Sequence, residues 1–332
     1  MPRVCFSTIL LVLGLLGSAG CSFPSLLIQP VSSSPELQET VVAGGSKRAK
    51  VAMIEVEGML ANTRAGGGLL GAEENKVSLL QQELNVAASD DRVKVVLLRI
   101  NSPGGTVGAS ETMYNAVRRF KEQTGKPVIV QCQDITASGG YYVACAADEI
   151  YAQQSSLVGS IGVIFEVFTA KNALDKLGVS VTTLKSGKFK DIGSPFKALG
   201  DDERAVMQGI IDDFFAQFTG VVTGAREVAD TETAFDGRVF TGDQAFELGL
   251  TDGVQSLPET IERARALAGR SDAQVVMYRR PYGYTGSIYA SSPMTSTPAA
   301  EASLQMWMAA AQQRAEDNGW LLRPGLYYLW RP

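Results

Sequence analysis

Between Val51 and Leu267 the apolar positions follow two rhythms, one of strands and one of helices. "KVAMIEVEG" (50–58) alternates toward its end and closes on a glycine, which predicts a first strand. "EENKVSLLQQELNVAASD" (73–90) places Val77, Leu80 and Leu84 on one helical face. "DRVKVVLLRI" (91–100) is a nearly unbroken apolar run, as a strand covered on both faces requires. In "ASETMYNAVRRFKEQTG" (109–125), Met113, Val117 and Phe120 are spaced by four and three, and Gly125 ends the helix. "KPVIVQC" (126–132), "DEIYA" (148–152) and "SIGVIF" (160–165) read as short strands, with a helix opening after Ser138. "DDERAVMQGIIDDFFAQFTGVVTGAR" (201–226) is a long helix in which Val206, Ile210, Phe214 and Phe218 recur every four residues. "GRVFTGDQAFELGLTDGV" (237–254) predicts a turn, a short helix and a strand, and "LPETIERARALAG" (257–269) a last helix. Strands alternating with helices predict an α/β fold around a mostly parallel sheet.

The ends have another texture. Residues 1–21, "MPRVCFSTILLVLGLLGSAGC", carry Arg3, an apolar run, small residues and a cysteine, the layout of a targeting segment. "GSAGC" resembles a bacterial lipoprotein cleavage site with Cys21 as the lipidated residue. Ser18 stands where such sites usually carry leucine, so an uncleaved N-terminal anchor is the other reading. Both place the remainder in the cell envelope, tethered to a membrane and outside the cytoplasm, on the periplasmic side in a Gram-negative cell. Residues 22–50 are rich in Ser, Pro and Gly and read as a flexible tether, with "SKRAK" (46–50) as its solvated end. "NTRAGGGLLGA" (62–72) lacks the lysine of a phosphate cradle and reads as a mobile loop. The folded body is expected over 51–280, followed by an extension, 281–332, with the aromatic end "WLLRPGLYYLW". That end has four possible places: a substrate groove, the membrane, a neighbouring subunit or its own domain. Its extended apolar character suggests that it shields or regulates the cleft.

Composition narrows the chemistry. The net charge of −5 gives no reason to expect a nucleic-acid partner. The chain has no histidine, which removes Ser–His–Asp and Cys–His catalysis and the commonest zinc ligand. The four cysteines show no C-x-x-C spacing, and neither a metal nor a cofactor is expected. Cys132 and Cys145 sit in apolar settings and read as buried small hydrophobes, with a disulfide between them left open.

One stretch suggests a nucleophile. In "DITASGGYYVA" (134–144), Ser138 precedes two glycines at the start of a helix. The glycines allow a tight turn and close approach, and the N–H of Gly139 points outward from the helix start. A plain N-cap serine would read the same way. "INSPGGTVG" (100–108) also ends a strand and opens a helix, and the loops of two parallel strands share one sheet edge, where such folds bind ligands. Without histidine, the base must be Lys, Asp, Glu or Tyr. "LKSGKFKDIGSP" (184–195) holds Lys185, Lys188 and Lys190. A lysine, ordinarily near pKa ~10.4, becomes a base when burial lowers that value by up to ~3–5 units. The residues alone do not choose among the three.

"INSPGG", "ASGGYY", "GSIGV" and "SGKFKDIGSP", in this order, closely resemble the bacterial signal peptide peptidase A (protease IV) family from about Val51 to Leu267. The resemblance implies a Clp protease/crotonase-like fold of repeated ββα units and a Ser/Lys-dyad serine endopeptidase. Such enzymes are membrane-anchored and degrade cleaved signal peptides and other hydrophobic peptides. It implies Ser138 as nucleophile, Lys190 as general base, and Gly139 with Gly104 or Gly105 as oxyanion donors, Gly104 preferred. Single-repeat members bring serine and lysine together across a subunit boundary, so a homo-oligomer with shared sites is expected. A crotonase-type acyl-CoA enzyme and a catalytically inactive anchored scaffold are the competing readings. Secretion speaks against the first, and the presence of both dyad residues against the second.

Overall fold

The computed structural model describes residues 37–62 and 74–280 and the backbone of Tyr327–Leu329. The targeting segment, Cys21, most of the glycine-rich loop and most of the 281–332 extension lie outside the described residues. Among the described residues, no helix is long and apolar enough to cross a membrane.

A nine-stranded sheet organises the body. Its main path runs β1 (Gln38–Ala43), β10 (Ala273–Arg279), β2 (Ser46–Glu57), β3 (Val93–Ser102), β5 (Val128–Ala137), β6 (Glu149–Ala152) and β9 (Gly253–Val254). The far end of β5 pairs with β7 (Leu157–Gly159), which pairs with β8 (Val239–Phe240). Pairing is parallel except at β1–β10 and β7–β8. The expected mostly parallel α/β architecture is therefore present.

The two faces of β3 show why its apolar run is unbroken. Val96, Leu98 and Ile100 join the larger core, with Leu80 and Leu84 of α1 (Lys76–Ser89) and Met113, Val117 and Phe120 of α2 (Val107–Thr124). Val95 and Leu97 point the other way, onto Leu257, Ile261 and Ala264 of α6 (Leu257–Leu267). A strand covered by helices on both sides has no polar face to offer. α2 ends as expected: Gly125 adopts φ 64°, and its N–H donates to the Lys121 carbonyl.

Three expectations need correction. The proposed tether does not extend to residue 50, because β1 and the start of β2 already belong to the sheet. Lys50 is 2% exposed rather than solvated, and its Nζ donates to Glu39 at 2.6 Å and Asp90 at 2.9 Å. A buried ammonium is tolerated when carboxylates surround it. "SIGVIF" is not a strand. The strand stops at Gly159, because Ser160 turns to φ 49°. Finally, β10 was not anticipated, although "AQVVMYR" is buried throughout.

Beyond β7 the chain leaves the core as an arm, residues 163–200, that includes the short helix α4 (Lys171–Lys176). It returns through α5 (Asp201–Ala225). Phe218 and Val222 of α5 are buried, but Val206, at the other end of the same stripe, is exposed.

Candidate active site

β5 ends at Ala137, and α3 (Gly139–Ala144) begins at once, leaving Ser138 as the hinge. Its backbone has φ 51° and ψ −118°, a conformation that costs a non-glycine residue on the order of 1–3 kcal/mol. Bonds on both sides impose it. The Ser138 N–H donates to Gly159 at 2.7 Å, and the Ser138 carbonyl accepts from Tyr142 at 2.9 Å. Behind it, Tyr141 is fully buried and donates its hydroxyl to the Leu250 carbonyl at 2.7 Å. The Tyr142 ring meets Tyr114 and Phe218 edge-on. The "YY" after the glycines thus bolts α3 in place.

The side chain of Ser138 does not cap the helix. Its Oγ is buried and has no hydrogen-bond partner among the described residues. A buried hydroxyl without a partner costs about 1–3 kcal/mol, which a mere N-cap would avoid by bonding an N–H of the first turn. The N-cap reading therefore fails on geometry. Gly139 occupies the first helical position, where an N–H has no partner within the helix.

The neighbouring loop is held by a residue that sequence reasoning gave no role. Ser102 is fully buried, donates its hydroxyl to the Gly58 carbonyl at 2.6 Å and accepts the Gly104 N–H at 3.1 Å. The Gly104 N–H, preferred above as an oxyanion donor, is therefore engaged. β4 (Gly104–Thr106) follows, and Leu60 takes one of its edges. Leu60 donates to the Gly104 carbonyl, and Thr106 donates to the Leu60 carbonyl, both at 2.8 Å. The N–H and carbonyl of Gly105 must then face the opposite edge. Glycine is obligatory at 105, since a Cβ there would lie 1.9 Å from the Leu60 carbonyl oxygen. Gly159 and Ser160 were likewise quoted only as part of a motif. They brace Ser138, with the Ser160 N–H anchored on the Arg238 carbonyl at 2.7 Å. A serine forced to positive φ leaves no mark in sequence beyond its glycine neighbour.

The three lysines separate. Lys185 is bound to Asp191 at 2.6 Å, and Lys188 to Asp202. Lys190 is exposed and forms no ion pair or side-chain hydrogen bond among the described residues. The single chain shows no hydrogen bond between it and Ser138, whose Oγ has no partner among the described residues. Lys185 and Lys197 together hold the Asp191 carboxyl down to about 2. Cys132 and Cys145 are free and buried, and burial pushes both thiols up to about 12. A cleft of about 870 Å³ lies beside α2 and α5, lined by Tyr114, Tyr142 and Val221, but Ser138 does not line it.

Residues 120–271 match Peptidase family S49, and residues 52–157 match the Clp protease family. The chain is 32% identical to "Putative protease MJ0651" of Methanocaldococcus jannaschii, over 84% of this chain and 87% of that protein. It is 31% identical to "Putative signal peptide peptidase SppA" of Enterococcus faecium, over 74% and 72% respectively. Protease 4 of Haemophilus influenzae is also 31% identical, over 68% of this chain but 36% of its own length. A likeness that runs through most of both chains extends well past one shared motif, and the chain therefore belongs to peptidase family S49, the signal peptide peptidase A family of serine peptidases.

Proposed function

We propose that the chain is a membrane-anchored endopeptidase that degrades cleaved signal peptides and other hydrophobic peptides outside the cytoplasm, with Ser138 as nucleophile and Lys190 as general base. The observation that carries this reading is the Ser138 hydroxyl: strained into place, buried, and bonded to nothing among the described residues. Lys190 Nζ, as the neutral amine, takes the Oγ proton while Oγ attacks the scissile carbonyl carbon. The tetrahedral oxyanion is held by the Gly139 N–H and, with Gly104 engaged, by the Gly105 N–H. Collapse breaks the C–N bond, and the amine leaves with the proton from Lys190. The acyl-enzyme is then hydrolysed by a water that Lys190 deprotonates.

A hydrated amine is protonated at neutral pH, so this base needs a dry site. The arm offers a reason to look for it between subunits. Phe168, Leu177 and Leu184 are 79%, 75% and 94% exposed, and Phe189, beside Lys190, is exposed too. Four large apolar side chains exposed along one arm of 163–200 are what a covering partner would bury. A second copy covering the arm would bury Lys190 against its own Ser138. Lys185 and Lys188 are held by carboxylates and are poor candidates for the same task.

The test is hydrolysis of a membrane-embedded signal peptide by Ser138→Ala, by Lys190→Ala, and by the two variants co-assembled. Each alone should be inactive, and the mixture should recover part of the activity because some sites combine an intact serine with an intact lysine. Wild-type rates in either single variant would refute the assignment.

A further inference from the structure

β5 is interrupted just before it delivers Ser138. From Val96 to Ile100, β3 pairs with Val128 to Cys132 residue for residue. The next pair is Ser102 with Thr136. β3 advances two residues there, from Ile100 to Ser102, while β5 advances four, from Cys132 to Thr136, so β5 carries two extra residues. The other side of β5 breaks at the same place. Ile129–Cys132 pair with β6 and Ile135–Ala137 with β7, which leaves Gln133 and Asp134 outside both ladders. Bulges of this kind re-aim a strand and gather beside active sites. A strand that loses both neighbours in mid-course needs another means of holding its register.

Side chains supply it. On the β6–β7 side, Ser156 is buried and donates its hydroxyl to the Cys132 carbonyl at 3.1 Å. On the β3 side, the Ile135 N–H donates to Asn101 Oδ1 at 3.2 Å, and Thr136 Oγ1 donates to the Ile100 carbonyl at 3.0 Å. Ile135 and Ser138 lie three residues apart, so their N–H groups leave the strand on opposite sides. One meets Asn101, and the other donates to Gly159. Asn101 is itself fixed: its carbonyl accepts the Gly58 N–H at 2.9 Å, and it stands opposite Glu57 in the β2–β3 ladder. Ser102, the next residue, accepts the Gly104 N–H. The dipeptide Asn101-Ser102 thus ties the strand that carries Ser138 to the neighbouring glycine loop.

We propose that Asn101 is a positioning residue for Ser138: its carboxamide oxygen bridges the gap opened by the two extra residues of β5 and fixes how far the strand advances before it turns at the nucleophile. The inference rests on Ser138 as the nucleophile. An N–H can be met only by an acceptor, so the amide oxygen and not the nitrogen faces Ile135. Without that oxygen the Ile135 N–H must find another partner, and the strand between Gln133 and Ala137 relaxes. Ser138 follows directly, and a displacement of about 1 Å can cost on the order of 100-fold in rate. Asn101 touches the strand rather than the substrate, so the loss belongs to kcat and not to KM.

The experiment uses the full chain with Asn101→Leu, which keeps the side-chain volume but has no acceptor, and with Asn101→Asp, which keeps an acceptor oxygen. Three quantities are read: hydrolysis of a short apolar peptide, the rate at which a fluorophosphonate labels Ser138, and the hydrogen-exchange protection of the Ile135 and Ser138 amides. Asn101→Leu should lower kcat and the labelling rate together by about 10- to 100-fold. Its KM should be unchanged, and protection at both amides should fall. Asn101→Asp should recover most of the loss in each quantity. Should Asn101→Leu fail to fold, Asn101→Ala removes the acceptor without adding bulk and carries the same expectation. A folded variant without the acceptor that keeps wild-type kcat and labelling would overturn the inference. So would an Asn101→Asp variant as impaired as Asn101→Leu. If the wild type itself neither hydrolysed peptide nor took the label, the nucleophile reading would fail instead, and protection of the Ser138 amide alone would decide whether Asn101 sets its position.

Discussion

Replacing Gly140 with alanine tests how tightly the nucleophile's helix is seated. On helix propensity alone the change should stabilise, since alanine is favoured over glycine by roughly 0.5–1 kcal/mol. The structure reverses the sign. A Cβ at 140 would stand 2.8 Å from the Ser102 carbonyl oxygen and 3.2 Å from the Ser102 Cβ. The nearer atom is backbone in a sheet strand and cannot rotate aside, and Ser102 is itself pinned by Gly58 and Gly104. α3 must therefore shift away from β3. Overpacking of this kind costs about 1–3 kcal/mol, which leaves a net loss of about 1–2 kcal/mol after the propensity gain. At about 2–4 °C per kcal/mol for a domain of this size, the melting temperature should fall by about 2–8 °C. Activity should suffer more, because Ser138 moves with the helix it opens, and a displacement of about 1 Å can cost on the order of 100-fold in rate. Circular dichroism melting gives the first quantity, and the rate at which a fluorophosphonate labels Ser138 gives the second. A variant that melts higher than wild type and labels at the wild-type rate would refute the packing argument.

Ser102→Ala removes the partner of two backbone groups, the Gly58 carbonyl and the Gly104 N–H. Urea unfolding should show a loss of about 1–3 kcal/mol, with peptidase activity reduced beyond what the lost folded fraction explains. The Asp191 clamp sets a pH window for the arm. Its carboxyl is held down to about 2 by hydrogen bonds from Lys185 and Lys197. The folded value lies below the unfolded one, so the clamp is at full strength above pH ~4 and is lost as pH falls through about 2. The protection factors of amides in residues 184–197, the intrinsic exchange rate at each pH divided by the observed one, should therefore hold from pH 7 to 4 and fall below, while Asp191→Asn should lower them already at pH 7. Burial keeps the Cys132 and Cys145 thiols protonated. Peptide mapping after iodoacetamide at pH 8 should find both unmodified in the native chain and both modified in denaturant.

What the sequence determined by itself is what depends on neighbours along the chain. The run Val95-Val96-Leu97-Leu98 predicts a strand buried on both faces whatever lies above and below it, because period two distributes such residues to either side. The spacing of Val77, Leu80 and Leu84 makes a helix face for the same local reason. The absence of histidine and the pairing of Ser138 with two glycines pointed to a serine without an imidazole, and the order of four motifs pointed to the family. The tertiary structure decided everything that requires a partner distant in sequence. Insertion of β10 between β1 and β2 is a pairing across more than 200 residues, and no local rhythm encodes which strand lies beside which. Lys50 looked solvated until Glu39 and Asp90 were found around it. Gly104 and Gly105 look alike in sequence, yet Leu60 and Ser102 occupy the groups of one, while the other's face the strand Tyr327–Leu329. Among three neighbouring lysines, Asp191 and Asp202 engage two, and Lys190 has no such partner among the described residues. The reason is the same in each case: which partner satisfies a backbone or charged group is settled by the fold rather than by the residues on either side.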